Sequence, residues 1–224
     1  MSRPAAAPPV RTTYRHGDLR RALLEAGLAL AREGGPDAVG LREVTRRAGV
    51  VPNAAYRHFA NHAELLQAVR AEALAAVARS MEHELDAVPP LGARARPGGP
   101  AAVEQARARL RAVGRGYLQY AWKEPGLFRI AFLRPSETAL ERDADPAKAG
   151  RSGLNPFQLL GAALDGLVAA GVLPPARRPH AEYIAWSAVH GLALLVTDGP
   201  LQAVGRVQAE ALGERLLDMV ERGL

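Results

Sequence analysis

Asn53, Tyr56, Arg57 and His58 stand within six residues of one another at the end of the stretch LREVTRRAGVVPNAAYRHF, Leu41 to Phe59. An amide can bond adenine through two atoms at once. A phenol can bond a phosphate through its hydroxyl and lay its ring on a thymine methyl, and a guanidinium or imidazole can meet phosphate or a base edge. Arg42 adds a second guanidinium, whose planar fork fits guanine O6 and N7. Each also has an ordinary use: Asn53 can close a local backbone bond, Tyr56 can be core, and Arg42, Arg57 and His58 can be solvated.

A second set is aromatic. Tyr117, Tyr120, Trp122, Phe128, Phe132, Trp186 and His190 lie in the later part of a chain with four Phe, five Tyr and two Trp. They can line a cavity between helices for a small molecule, or they can be core. Trp186 and His190 are four residues apart, so they share a helix face. Other chemistry finds no pattern. There is no nucleophile elbow, no paired-carboxylate site and no glycine-rich phosphate loop after a strand. His58 and His62 are four apart, but a helix break lies between them and no carboxylate completes a metal set. The expectation is a protein that is not an enzyme and holds no cofactor.

The elements around the first set read as two short helices. Leu41, Val44 and Ala48 give one apolar face. Gly49 ends that helix, because glycine enters the left-handed conformation without a Cβ penalty. Pro52 opens the next, since proline costs nothing in a first turn. A short helix, a turn with Gly and a second short helix make a helix-turn-helix, whose second helix enters the DNA major groove. A helix at about 16–33, with Leu19, Leu23, Ala26 and Leu30 in a stripe, precedes it. Asn61 to Glu64 has the shape of a capping box opening the next helix.

Charge follows the same division. Residues 1–62 hold 10 Arg and 5 acids, a net of +5 of the chain's +6. That favours a polyanion partner for the N-terminal part, against the plainer reading of solvated faces. Cys is absent, which removes disulfides and thiolate chemistry and fits a reducing compartment. The N-terminus shows no apolar signal region. The most apolar run, Tyr183 to Thr197, is shorter than the about 20 residues of a membrane span, so the expected location is the cytoplasm, with no membrane partner.

Periodicity predicts an all-α chain. Residues 1–13 read as a disordered arm, and helices are expected at about 16–33, 41–48, 52–59, 62–85, 102–123, 156–170, 179–197 and 202–222, with a short one after Glu124-Pro125-Gly126. Residues 134–153 read as a mobile loop. The division expected is an arm at 1–13, a DNA-binding domain at 14–61 and a second helical domain at 62–224. The helix at 179–197 is apolar nearly all round, and the one at 156–170 is its natural neighbour. Phe157, Leu160, Leu164, Leu167 and Leu194 are the expected two-fold interface, with Gly161 and Gly191 permitting close approach.

At Leu41–Phe59 and its flanks, about residues 14–70, the chain resembles the tetracycline-repressor (TetR) family of bacterial transcription regulators. The LREV opening, the RRAGV turn, the YRHF end and the following AELL carry the resemblance. The stretch Glu124-Pro-Gly-Leu-Phe-Arg and WSAVHGLALL, with Trp186, His190 and Gly191, resembles the family's Trp-His-Gly (WHG) ligand-domain subtype. The resemblance implies an all-helical homodimer that binds a double-stranded DNA operator, a C-terminal domain for a small-molecule inducer, and repression released by it. A same-fold activator, or a helical small-molecule binder without DNA binding, stand as alternatives. The implied DNA set is Arg42, Pro52, Asn53, Ala54, Tyr56, Arg57, His58 and His62, with Ala55 and Phe59 inward. The implied ligand set is Tyr117, Tyr120, Phe128, Phe132, Trp186 and His190, for an apolar or aromatic inducer. Gly40, Thr45, Val51 and His62 depart from the usual Ser or Thr, Ala, Ser and Lys.

Overall fold

The computed structural model describes residues 19–133 and 145–224. The expected arm at 1–13 and most of the expected loop, 134–144, lie outside them. Among the described residues the elements are α1 (Leu19–Gly34), α2 (Leu41–Arg47), α3 (Pro52–Ala55), α4 (His62–Asp86), α5 (Pro100–Lys123), α6 (Pro125–Ala131), α7 (Pro156–Ala169), α8 (Ala181–Thr197) and α9 (Arg206–Gly223), with three short 3₁₀ turns and no strand. No helix among them is long and apolar enough to cross a membrane.

Local signals set the boundaries. Proline occupies the first turn of α3, α5, α6 and α7, where its missing N–H costs nothing. The Asn61 side chain accepts from the Glu64 N–H at 2.9 Å, and the Glu64 carboxylate reaches back to the Ala60 N–H at 2.6 Å. Asn155 and Gln158 form a reciprocal capping box at α7. α3 is shorter than the 52–59 expected: it stops at Ala55, and Tyr56 to His58 continue as turn.

Leu23, Val39, Val44, Ala55, Phe59, Leu65 and Val69 form the buried centre of the N-terminal part, and the Arg20 guanidinium lies 4.9 Å from the Phe59 ring centroid. α4 belongs to both halves. Leu65 and Val69 pack under the helix-turn-helix, while Leu74, Val77 and Met81 enter the core shared with α5. α5 is the central helix and packs on α4, α6, α7, α8 and α9.

α6 turns back to α1. A Cβ on Gly126 would lie 2.3 Å from the Ala31 carbonyl oxygen and 2.7 Å from that of Arg32, so only glycine lets the two backbones meet here. Arg32 Nε donates to the Glu124 carboxylate at 2.7 Å beside this contact.

Two expectations need correction. The described end of the 134–153 loop is fastened: the buried Glu82 carboxylate accepts from the backbone N–H groups of Arg151 at 2.8 Å and Ser152 at 2.7 Å. Burial pushes this carboxyl up, but the bonds from Ser152 and Arg151 outweigh it and hold it below the ordinary carboxylate value. The leucines of α7 do not face outward either. Leu164 and Leu167 are 0% and 1% exposed in the single chain, Leu160 is buried, and Phe157 points into the subunit; of the expected interface set, Leu194 at 39% lies on the outer surface. The stripe on α7 is taken up by α5 and α4 of its own chain. Open apolar side chains lie on α8, where Ile184 is 62% and Leu195 43% exposed, and on α9, where Val207 is 82% and Met219 59% exposed. Gly191 meets nothing within 4 Å, and a Cβ on Gly161 would make only ordinary contact with Glu182 and Arg178, so neither marks a close approach within the chain.

Candidate nucleic-acid face and ligand cavity

The helix-turn-helix is locked by its turn and its ion pairs. Gly49 takes φ +70°, and Val50 N–H bonds the Thr45 carbonyl, closing the end of α2. The hydroxyl of Thr45 bonds the carbonyls of Leu41 and Arg42 at 3.0 and 2.9 Å, so this buried polar residue is satisfied inside its own helix. Arg47 is paired in two bonds with Glu33 on α1, and Arg46 with Glu43 on α2.

Those pairs leave a distinct outer set. Arg42, Pro52, Asn53, Tyr56 and Arg57 are exposed, and Ala54 and His58 are half-buried at its edge. Among the described residues neither Arg42 nor Arg57 makes an ion pair, and the Asn53 amide makes no local backbone bond. Tyr56 is 54% exposed, so it is no core tyrosine, while Ala55 and Phe59 face inward and are fully buried. Val51, at the cap of α3, is also exposed and gives no side-chain cap. His62 departs from its expected use. Its Nε2 donates to the Val39 carbonyl at 2.6 Å, so this nitrogen fastens the start of α4 to the α1–α2 connection rather than reaching a phosphate.

The second site is a cavity of about 640 Å³ lined by α4, α5, α7, α8, α9 and the chain after α6. Tyr117, Phe132, Trp186 and His190 line it, with aliphatic wall from Leu74, Leu110, Val189 and Leu217. Tyr120 and Phe128, both expected as lining, do not. Phe128 is fully buried behind the wall, edge-on to Tyr117 at 5.4 Å and 4.8 Å from Phe132. Tyr120 leaves α5 on another side, where burial, then the Glu124 charge, pushes its phenol above the ordinary value. A period-3.6 stripe shows which residues face inward, not which of them face a void. Phe157 and Leu160, expected at an interface, line this cavity instead, as do Arg70, Leu133 and Tyr183, which no expectation includes. Nothing local in the sequence signals those three.

The polar groups of the cavity satisfy one another. Trp186 Nε1 donates to the Tyr117 hydroxyl at 3.0 Å, and that hydroxyl lies 2.7 Å from His190 Nδ1. Burial pushes the Tyr117 phenol up and the His190 imidazole down, so both stay neutral at pH 7. Among the described residues no group of three or more His, Asp or Glu stands where it could hold a metal ion.

A buried helix-turn-helix scaffold presenting unpaired polar side chains, joined to a helical domain with an apolar cavity, defines a DNA-binding regulator of transcription. Comparison with known families agrees. Residues 23–69 match the model of bacterial regulatory proteins of the tetR family, and residues 110–220 match that of the tetracyclin repressor-like C-terminal domain. The chain belongs to the tetR family. A comparison with curated proteins finds no significant match. Among solved structures, a protein of unknown function from Rhodococcus sp. RHA1 is similar over 96% of this chain and 99% of its own, with TM-score 0.70 and 23% identity. The transcriptional regulator FadR from Bacillus subtilis, solved with stearoyl-CoA, is similar over 91% and 98%, with TM-score 0.61 and 14% identity. A TetR family regulator from Marinobacter aquaeolei VT8 is similar over 92% and 95%, with TM-score 0.59 and 19% identity. At these identities the likeness is one of fold.

Proposed function

We propose that this chain is a cytoplasmic repressor that binds a near-palindromic operator as a homodimer and releases it when a small apolar molecule occupies the cavity. The observation that carries the reading is the placement of α6. At one side its Phe128 packs on Tyr117, Phe132 and His190 of the cavity wall. At the other its Gly126 touches the α1 backbone. Filling the cavity therefore pushes on an element that the DNA-binding part also rests on. Ligand and operator are then negatively coupled, each weakening the other to the same degree.

In this reading residues 14–61 are the DNA-binding unit and 62–224 the ligand and dimer unit, with α4 running between them. Arg42, Asn53, Tyr56 and Arg57 read bases and phosphates, with Pro52, Ala54 and His58 against the groove walls. The apolar face of α8, at Ile184, Leu194 and Leu195, pairs with its two-fold copy. Trp186, His190 and Gly191 support assignment of the ligand domain to the Trp-His-Gly subtype. The acyl chain carried by the Bacillus subtilis FadR complex supports an apolar ligand in a domain of this fold.

The test is a gel shift of the full chain on the DNA upstream of its own gene, together with native mass spectrometry of the purified protein. The expected result is a dimer on a near-palindromic fragment, released by the molecule that co-purifies or by a hydrophobic compound found by screening. A protein that binds no fragment of that DNA, or one whose DNA affinity no cavity-filling compound alters, would overturn the proposal.

A further inference from the structure

We infer that the molecule taken by the cavity is uncharged and largely aromatic or apolar, and carries a carbonyl oxygen that accepts the Nε2–H of His190. The inference rests on the reading of the cavity as a ligand site.

It starts from a hydrogen-bond count. Tyr117 has one hydroxyl hydrogen. Its oxygen already accepts from Trp186 Nε1, and among the described residues the acceptor within reach of that hydrogen is His190 Nδ1, 2.7 Å away. A neutral imidazole that accepts at Nδ1 carries its own hydrogen at Nε2. The protein thus fixes the tautomer, and among the described residues it supplies no acceptor for the hydrogen it leaves. His190 lines the cavity and is only half-buried, so Nε2 is open to an occupant.

Other polar groups of the wall are engaged. Asn155 caps α7, and the Ser187 hydroxyl donates to the Ile184 carbonyl at 2.9 Å. Arg111 is held by Glu221 at 2.5 Å and Asp218 at 3.2 Å, so two carboxylates offset its charge. Arg70 Nε donates to the Leu133 carbonyl at 3.2 Å.

The surroundings of His190 decide charge and shape. The rings of Tyr117, Phe128, Phe132 and Trp186 lie 5.2 to 6.3 Å from its own. Burial among them disfavours the imidazolium and moves the group toward its neutral form. At His190 a neutral donor suits a carbonyl better than a carboxylate, which gains less from a neutral partner than its desolvation costs. A cavity of about 640 Å³ admits a drug-sized molecule.

Calorimetric titration of the full chain with 2-acetylnaphthalene, 2-ethylnaphthalene and 2-naphthoate tests the inference. The first two differ in the acceptor and the third adds charge. The expected order in the wild type is the ketone about tenfold tighter than the hydrocarbon, the value of one well-made hydrogen bond, with the acid weakest. His190→Asn places an amide near the Nδ1 position, keeping an acceptor for Tyr117 while removing the donor at Nε2. It should bring ketone and hydrocarbon to near parity. His190→Gln reaches the Nε2 position and should restore most of the preference. A ketone no tighter than the hydrocarbon in the wild type, an acid that binds tightest, or a preference that survives in His190→Asn would each overturn the inference while the ligand cavity stands. If none of the three binds, the cavity reading falls with it.

Discussion

The helix-turn-helix face and the cavity use their polar side chains in opposite ways. On the face, Arg46 and Arg47 are tied to carboxylates, while Arg42, Asn53, Tyr56 and Arg57 stand in solvent with no partner among the described residues. In the cavity, Trp186, Tyr117 and His190 bond one another among aromatic rings. A solvated face keeps its donors ready for a partner as wet as itself, and long-range charge draws that partner in. An apolar cavity keeps its loose donors few, because each one cut off from water without a partner costs about 1–3 kcal/mol. Its selectivity then comes from shape and from the single hydrogen the network leaves over. The two sites should therefore answer differently to salt, charge and pH.

The largest contrast should be in salt. Each phosphate neutralised by an arginine releases counterions, so DNA affinity should fall on the order of a thousandfold between 50 and 200 mM salt if the dimer makes six or more such contacts. Binding of an uncharged molecule in the cavity should hardly change over the same range. Fluorescence anisotropy with labelled upstream DNA, run beside calorimetry on a cavity ligand, compares the two slopes. Equal slopes would break the contrast.

Next in size is the dimer. Leu164→Asp cannot test it, because Leu164 is wholly inside its own subunit and a charge there would unfold the chain. Ile184→Glu is the informative change, since Ile184 is exposed in the single chain and would be covered only by a second copy. A buried unpaired charge costs about 3–5 kcal/mol, so the variant should sediment as a folded monomer and lose DNA binding with its DNA face intact. A variant that stays dimeric would remove α8 from the interface.

On the DNA face itself, Arg42→Ala should cost about 1–3 kcal/mol and relax preference at one base pair if the guanidinium is bidentate to guanine. Measuring the variant on a panel of single-base operator changes separates this from a phosphate contact, which would weaken every sequence alike. No change at all would take Arg42 out of the reading set.

These two regions were also unequally legible. The helix-turn-helix and its support lie between residues 19 and 69, and Gly49, Pro52, Asn61 and the Val44 face mark it in order along the chain. Tyr56 to His58 carry no breaker, so the sequence extends α3 through them, yet the helix ends at Ala55 and they follow as turn into the buried Phe59. The cavity joins Tyr117 to His190, 73 positions away, and no local pattern encodes which inward residues stop short of one another. For the same reason the leucines of α7 were read as interface: periodicity shows an apolar face but not whose helix covers it. Gly126 after Pro125 reads as a helix breaker in the sequence, and only the α1 backbone against it makes it a contact point.

The smallest expected effect is a pH dependence that belongs to the cavity alone. His190 is shifted below its ordinary value of 6.5 by burial. The unfolded chain then binds a proton at a pH where the folded chain does not, and stability rises with pH wherever the unfolded state holds more protons. Its contribution is complete above 6.5 and is lost as pH falls from there toward the folded value. Glu82 works in a lower window: its carboxyl is held below 4.5, so its contribution persists until pH drops beneath that value. Urea melts of wild type and His190→Asn between pH 7.5 and 5 isolate the histidine, because Glu82 is ionised throughout and the other histidines are common to both proteins. The wild type should lose more stability than the variant on acidification. Parallel curves would mean that His190 is not held neutral by its shell, and the argument that the cavity prefers an uncharged occupant would lose its electrostatic support.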